Sequence, residues 1–286
     1  MDILTVTCTR DRYAMQLLAH TLDLFVTDTC VHYVVIEDNA TSYGEWLTLL
    51  LPYYTRHQLK IVHDYNLSAE EMYRGGYFRQ QQIKLQMSEK IYSDKYIIID
   101  SKTIFFKPVT MSEWPIHHGN RTLGQISQYS GWVKNICEIM EIPCPENMPM
   151  ALTPFVIKTA IARKLINAYD VTTLLWRDPI HDTTHDDLNP SEFLLYILYA
   201  MQEDPDIIPN ESDPVYVFCY NEEEMINSPP DRIENSNILT FGLDRNVLKP
   251  KYLSYLSVYY TWLLSKGIKQ EILDEAWFGP LFNSVK

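Results

Sequence analysis

The sequence predicts an α/β protein with a mostly parallel sheet flanked by helices and a helical C-terminal part. Within the first hundred residues, short segments that are apolar throughout alternate with segments whose apolar residues recur at helical spacing. Strands buried on both faces and separated by helices mark a parallel sheet. The apolar segments stop at polar residues, in turn Thr7-Cys8-Thr9-Arg10, Glu37-Asp38, Asp64 and Asp100-Ser101-Lys102. Ligands of such sheets bind beyond the carboxyl ends of the strands, so these four ends should frame a polar cleft.

Taken in order, Ile3 to Cys8 is a β-branched apolar run that reads as the first strand. Tyr13 to Leu24 reads as a helix, with Met15, Leu18, Leu22 and Phe25 at helical spacing. Val31 to Ile36 forms a second strand, Trp46 to Tyr54 a helix, and Leu59 to Val62 a third strand. A helix from about Tyr77 to Tyr92 leads to the fourth strand, Tyr96 to Ile99, ending at Asp100. The second half is less regular. Met148 to Ile157 reads as a strand, Ala160 to Tyr169 as a helix, and Trp176 to Pro190 as a loop rich in Pro, His and Asp. Asn189-Pro190 opens an apolar helix through Met201, followed by late strands at Val215 to Tyr220 and Ile238 to Phe241. Lys251 to Leu264 reads as a helix wedged against the domain. No linker, repeat or low-complexity tract divides the chain, so a single domain over residues 1–286 is expected.

Composition narrows the function. The chain has 286 residues, with 24 Lys and Arg against 37 Asp and Glu, a formal charge of −13. That surplus argues against nucleic-acid binding, which needs clustered cations, although a single nucleotide can sit in an acidic protein. Five scattered cysteines without a C-x-x-C spacing signal neither a zinc site nor a redox pair. The first residues lack the basic start and long apolar stretch of a signal peptide, and the longest apolar run, Phe193 to Met201, is too short to span a membrane. A soluble, reduced, cytoplasmic protein is expected.

The helix before the fourth strand mixes apolar and polar residues on one face. Ile83, Met87 and Ile91 form a core stripe, and Gln80 and Lys84 fall inside it. A buried ammonium needs a partner. Either both side chains snorkel out at the helix edge, or this face lines the cleft and Lys84 meets a carboxylate or a phosphate. Arg79 lies at the edge of the same stripe, and Gly75-Gly76 lets backbone amides approach an anion.

The sharpest feature is Tyr96 to Pro108, an apolar strand followed by Asp100-Ser101-Lys102 and closing in Lys107-Pro108. Together with Tyr77-Phe78-Arg79-Gln80-Gln81-Gln82-Ile83-Lys84-Leu85, it resembles a family of bacterial and phage glycosyltransferase-like proteins classed as a domain of unknown function. That family's pattern runs Tyr-x-Arg-Gln-Gln, two residues, Lys-Leu, then an apolar strand ending in Asp-x-Asp or Asp-x-Lys. Leu152-Thr153-Pro154-Phe155 and Ser191-Glu192-Phe193 with Tyr196 match further, so the resemblance covers roughly Val31 to Met201.

The resemblance implies a GT-A-like, Rossmann-type fold. Residues 1–110 would form the nucleotide-sugar half, 111–250 the acceptor half, and 251–286 a helical extension. The partners would be a nucleotide sugar, UDP-linked, and a carbohydrate or surface-polymer acceptor. Asp-x-Asp binds Mn²⁺ or Mg²⁺ in such enzymes. Here Lys102 replaces the second acid, and an ammonium repels a divalent cation while neutralising a diphosphate directly. A metal-independent or weakly metal-dependent site follows, with Asp100 the one candidate metal ligand. The donor would be met by Thr7, Thr9, Arg10, Asp38, Arg79, Gln80, Lys84, Asp100, Ser101 and Lys102, with Asp64 in a lesser role. The resemblance makes Asp100 and Glu192 the catalytic candidates, with Asp186 and Asp187 as alternative bases on the adjoining loop, and places Thr153 at the acceptor; Trp176 and Tyr196 are assigned to the acceptor cleft as rings suited to stack on sugars, although so many aromatic residues equally suit a core. Glu192 has a rival reading as a capping-box residue, with Asn189 as N-cap and Pro190 at the first helical position. His181 and His185 could chelate a metal only if their loop were helical. The alternative for the whole protein is a non-catalytic nucleotide- or carbohydrate-binding module.

Overall fold

The computed structural model describes all residues except 39–40, 63–75, 115–119, 123–126, 150–152, 172–174, 176–190, 205–215, 220, 244–246 and 279–286. It is an α/β structure with a mostly parallel central sheet flanked by helices. The described strands are β1 (Asp2–Thr7), β2 (Val31–Ile36), β3 (Gln58–Val62), β4 (Lys95–Ile98), β5 (Thr103–Phe105), β6 (Asn120–Thr122), β7 (Asn147–Pro149), β8 (Phe155–Lys158), β9 (Tyr216–Cys219) and β10 (Thr240–Leu243). The described helices are α1 (Arg12–Phe25), α2 (Tyr43–Leu50), α3 (Gly76–Gln86), α4 (Ser127–Ile139), α5 (Thr159–Ala168), α6 (Glu192–Glu203), α7 (Glu222–Asn227), α8 (Pro230–Glu234), α9 (Leu253–Ser265) and α10 (Gln270–Trp277). The main sheet has the order β3-β2-β1-β4-β8, and a second sheet the order β5-β10-β9. Among the described residues, no helix is long and apolar enough to cross a membrane.

The chain divides into two compact units. The first comprises Met1–Leu4, Tyr65–Ile98 and Pro115–Asp213. In it the start of β1 pairs in parallel with β4 (Leu4 opposite Ile98), and β4 pairs antiparallel with β8 (Ile98 opposite Phe155). Helices α3, α5 and α6 pack on one another. As the periodicity predicts, Ile83, Met87 and Ile91 are fully buried.

The helix expected through Tyr92 instead stops at Gln86 and tightens into one 3₁₀ turn, Met87–Glu89. The Arg163 guanidinium explains the early stop. It donates to the carbonyls of Ser88 (2.7 Å) and Ile91 (2.6 Å), which the helix would otherwise direct along its axis. The single strand expected from Met148 to Ile157 is two strands, β7 and β8, in different sheets. Pro154 lies between them and has no N–H to give a ladder.

The second unit comprises Thr5–Asp64, Ile99–Trp114 and Pro214–Lys286. Here the rest of β1 lies beside β2, and β2 pairs in parallel with β3. Ser42 and Glu45 close α2 with a reciprocal capping box. In the second sheet β10 runs antiparallel to β5 and parallel to β9. The aromatic face of α9 turns into this unit's core, where the Phe241 ring stacks on Tyr259 (4.9 Å) and Phe106 meets Trp262 (5.0 Å). Each fully buried side chain of this size stabilises by roughly 1.5–3 kcal/mol.

A buried polar network ties β1 to β2 in the same unit. One ring nitrogen of His32, Nε2, is hydrogen-bonded to the Thr5 hydroxyl (2.9 Å), and the other, Nδ1, to the Tyr54 hydroxyl (2.6 Å). Burial, reinforced by the nearby His57 charge, pushes the His32 pKa down to about 3. The imidazole is therefore neutral at pH 7, with one nitrogen donating and the other accepting.

Candidate functional site at the carboxyl edge of the sheet

The sequence-predicted residues fall into two groups, one in each unit. The second unit holds Thr7, Thr9, Arg10, Asp38, Asp100, Ser101 and Lys102. Strand β1 leads to Thr7, and the Glu37 N–H donates to the Thr7 carbonyl (2.9 Å), so the ends of β1 and β2 stay side by side. Beyond Thr7 the chain makes a 3₁₀ turn, Thr9–Asp11, that Asp38 clamps. The Thr9 N–H donates to Asp38 Oδ2 (2.8 Å) and the Thr9 hydroxyl to Oδ1 (2.5 Å). Asp38 thus shapes this edge. Arg10 is exposed beside it. Burial raises the Cys8 pKa, with the Glu37 carboxylate the next cause, so this thiol is neutral and inert. The Thr7 hydroxyl is buried without a hydrogen-bond partner among the described residues. An orphan polar atom of this kind at a strand end is an observation in want of a ligand or a water.

The Asp100-Ser101-Lys102 turn follows β4. The Lys102 N–H donates to Asp100 Oδ1 (2.9 Å) and the Thr103 N–H to the Asp100 carbonyl (3.0 Å). Asp100 is thus first a turn-former that reverses the chain into β5. Its side chain is 41% exposed and that of Lys102 21%, and the Lys102 ammonium stands 4.0 Å from Oδ1 as a loose pair. Ser101 is buried beneath.

Two supports of this turn were not foreseen. Gly242 of β10 lies under it: a Cβ there would come within 2.5 Å of the Phe218 ring and 3.1 Å of the Lys102 carbonyl oxygen. Only a residue without Cβ lets the two strands and the turn approach this closely. Lys107, the motif's closing cation, donates to the Ser236 carbonyl (2.7 Å) and ties the loop after β5 to the segment before β10.

The first unit holds Arg79, Gln80, Lys84, Thr153, Glu192 and Tyr196. Lys84 finds a carboxylate: its ammonium is 2.6 Å from Glu192 Oε1 and lies 5.0 Å over the Phe193 ring. The Lys84 side chain is 17% exposed and that of Glu192 only 3%. The capping-box reading of Glu192 is corrected. The N-cap of α6 is Ser191, whose hydroxyl accepts from the Phe193 N–H (3.2 Å), so Glu192 is the first helical residue and closes no capping box. A carboxylate is one of the two partners that the helix face was expected to give Lys84.

Tyr196 is corrected too. It is buried, packs edge-on to Phe155 (5.9 Å), and its hydroxyl accepts from the Lys158 N–H (2.8 Å), so its ring presents no face to a sugar. Thr153 is half-buried at the bend before β8, and Gln80 is half-buried on α3. Arg79 is half-buried with its Nε hydrogen-bonded to nothing among the described residues. Asp64, Trp176, His181, His185, Asp186 and Asp187 lie outside the described residues.

Hard divalent cations want several oxygen ligands, and here one carboxylate already faces an ammonium. Among the described residues, no group of three or more His, Cys, Asp or Glu side chains could hold a metal ion.

Comparison of the fold with solved structures finds mouse xyloside xylosyltransferase 1 in its apo form, at 10% identity and a TM-score of 0.47, over 84% of this chain and 96% of that one. It also finds the apo structure of the bifunctional glycosyltransferase WbbM, at 10% identity and a TM-score of 0.49, over 96% of this chain and 51% of that one. This chain thus spans about half the length of WbbM. No curated protein matches the sequence. A family model does match, over residues 3–207, more than half of the chain and inclusive of both the Lys84 helix and the Asp100 turn. The chain therefore belongs to DUF6492, a family of unknown function.

Proposed function

We propose that this protein is a glycosyltransferase of GT-A type, moving a sugar from a UDP-linked donor to a carbohydrate or surface-polymer acceptor without a catalytic metal. One observation carries the reading: at the carboxyl end of β4, a part-buried lysine ammonium stands beside an aspartate in an Asp-x-Lys turn. The resemblance of the Tyr77–Leu85 and Tyr96–Pro108 segments to glycosyltransferase-like proteins supports it from the sequence side.

In the reaction, the bond between the anomeric carbon and the diphosphate oxygen breaks, and a bond to the acceptor oxygen forms. Negative charge grows on the departing diphosphate, and the acceptor hydroxyl gives up its proton. Lys102 supplies a positive charge to the leaving group as that charge develops. Asp100 fixes the turn that carries Lys102 and offers an acceptor to sugar hydroxyls. Asp38 and Thr7 stand at the neighbouring strand ends, suited to ribose or base donors.

The substitution of lysine for the second acid also favours a second reading, a non-catalytic binding module. Incubation with a panel of UDP-sugars, in EDTA and in Mn²⁺, separates the two by the UDP released. Release in EDTA within a few-fold of that in Mn²⁺ is the expected result. UDP binding with no release in either buffer would favour the binding module, and release only with Mn²⁺ would overturn the metal-free mechanism.

A further inference from the structure

Lys102 is held in place by a glycine from a distant strand. Gly242 lies in β10, the middle strand of the second sheet, opposite Thr103 of β5 on one side and Phe218 of β9 on the other. Thr103 directly follows Lys102, so the register of β5 on β10 sets where the Asp100-Ser101-Lys102 turn leaves the sheet. The φ of Gly242 lies outside the left-handed region, so the need for a glycine here is one of space alone. That space is taken from two directions. A Cβ would lie 2.5 and 2.6 Å from two carbons of the Phe218 ring and 3.1 Å from the Lys102 carbonyl oxygen. Carbon atoms in ordinary contact stand about 3.5–4.0 Å apart. The half-buried Phe218 ring thus leans across the strand gap and fills the place of the missing side chain, against the buried Gly242. The carbonyl oxygen belongs to the backbone and cannot swing aside, so a methyl group at Gly242 must displace the ring, the turn or both.

We propose that Gly242 and Phe218 are positioning residues: together they form a seat that fixes the height of the Lys102 turn and so the place of its ammonium. The inference rests on the reading of Lys102 as the charge that meets the diphosphate of a UDP-linked donor. A seat of this kind orders the turn before the ligand arrives, which spares the binding step the cost of ordering it. The turn's own bonds leave that task open. The Lys102 N–H and the Thr103 N–H both return to Asp100, so they fix the shape of the turn and not its distance from β10. Gly242 and Phe218 supply that distance from the other side. Glycine and ring act as a pair, because the volume that one lacks is the volume that the other fills.

Calorimetric titration of UDP in EDTA compares the unmodified full-length protein with Gly242→Ala, Phe218→Ala and the double variant. Ligand-observed NMR follows uridine, which carries no phosphate, on the same proteins. UDP affinity is expected to fall about tenfold in Gly242→Ala and to recover about threefold or more in the double variant, where the methyl group meets no ring. Phe218→Ala brings no clash, and it carries the test should Gly242→Ala not fold. It is expected to lose about threefold, since an unseated turn must be ordered on binding. Uridine should bind the folded variants as it binds the unmodified protein, whereas general damage to the fold would weaken both ligands. UDP affinity unchanged in Gly242→Ala or in Phe218→Ala, or uridine lost in step with UDP, would overturn the seat. If Lys102→Ala still weakens UDP in that case, the reading of Lys102 stands without it. Equal UDP affinity in Lys102→Ala and the unmodified protein would overturn the reading and the seat together.

Discussion

Replacing Lys84 by Met is expected to lower the unfolding free energy by about 3 kcal/mol. The change removes the ammonium that the Glu192 carboxylate, only 3% exposed, meets at 2.6 Å. An uncompensated carboxylate in that position must keep its charge without solvation or take up a proton, and both are costly. The methylene stem of Met still covers much of the Phe193 ring that the Lys84 ammonium overlies. The loss therefore reports on charge more than on packing. Adding Glu192→Leu to the single variant should recover most of the loss, because removing both charges leaves no orphan. Urea denaturation of the three proteins measures this. A single variant within about 1 kcal/mol of the unmodified protein, a value usual for surface pairs, would show that the pair is not a structural element.

Acidification should destabilise the protein well before its carboxylates titrate. His32 titrates at about 3 in the folded chain, against the ordinary histidine value of 6.5. Between those two values the unfolded chain binds a proton that the folded chain refuses, so stability rises with pH across that window and falls as pH drops. At pH 5 the loss from this one residue is about 2 kcal/mol relative to pH 7, at 1.36 kcal/mol per pKa unit. His20 and His57, whose pKa values burial also lowers, act in the same direction. Denaturant midpoints at the two pH values give the measurement. Equal midpoints would mean that His32 is not held neutral between Thr5 and Tyr54.

The parallel strands were legible because nothing in them competes with burial: Ile3, Leu4, Val34, Val35, Ile97 and Ile98 are at most 1% exposed. Their polar ends were legible for the same reason, since the first polar residue after such a run must lie at the sheet's edge. What the sequence concealed are contacts between distant segments. The early end of α3 depends on Arg163, and the fit of Gly242 under the Lys102 turn depends on the pairing of β5 with β10. Asn189-Pro190 is a common helix opening and outweighed Ser191, although Ser191 stands directly before the apolar run and is the cap. Lys84 was read as needing a partner, and it has one. That the partner would be Glu192, 108 residues away, is a fact of tertiary structure alone.

The account turns on Lys102 as the charge that meets a diphosphate. Calorimetric titration of UDP into the unmodified protein and into Lys102→Ala, both in EDTA, tests this directly. The account predicts that the unmodified protein binds UDP without a divalent cation and that the variant binds it at least tenfold more weakly, a difference of about 1.4 kcal/mol. Equal affinity in the two proteins would contradict it.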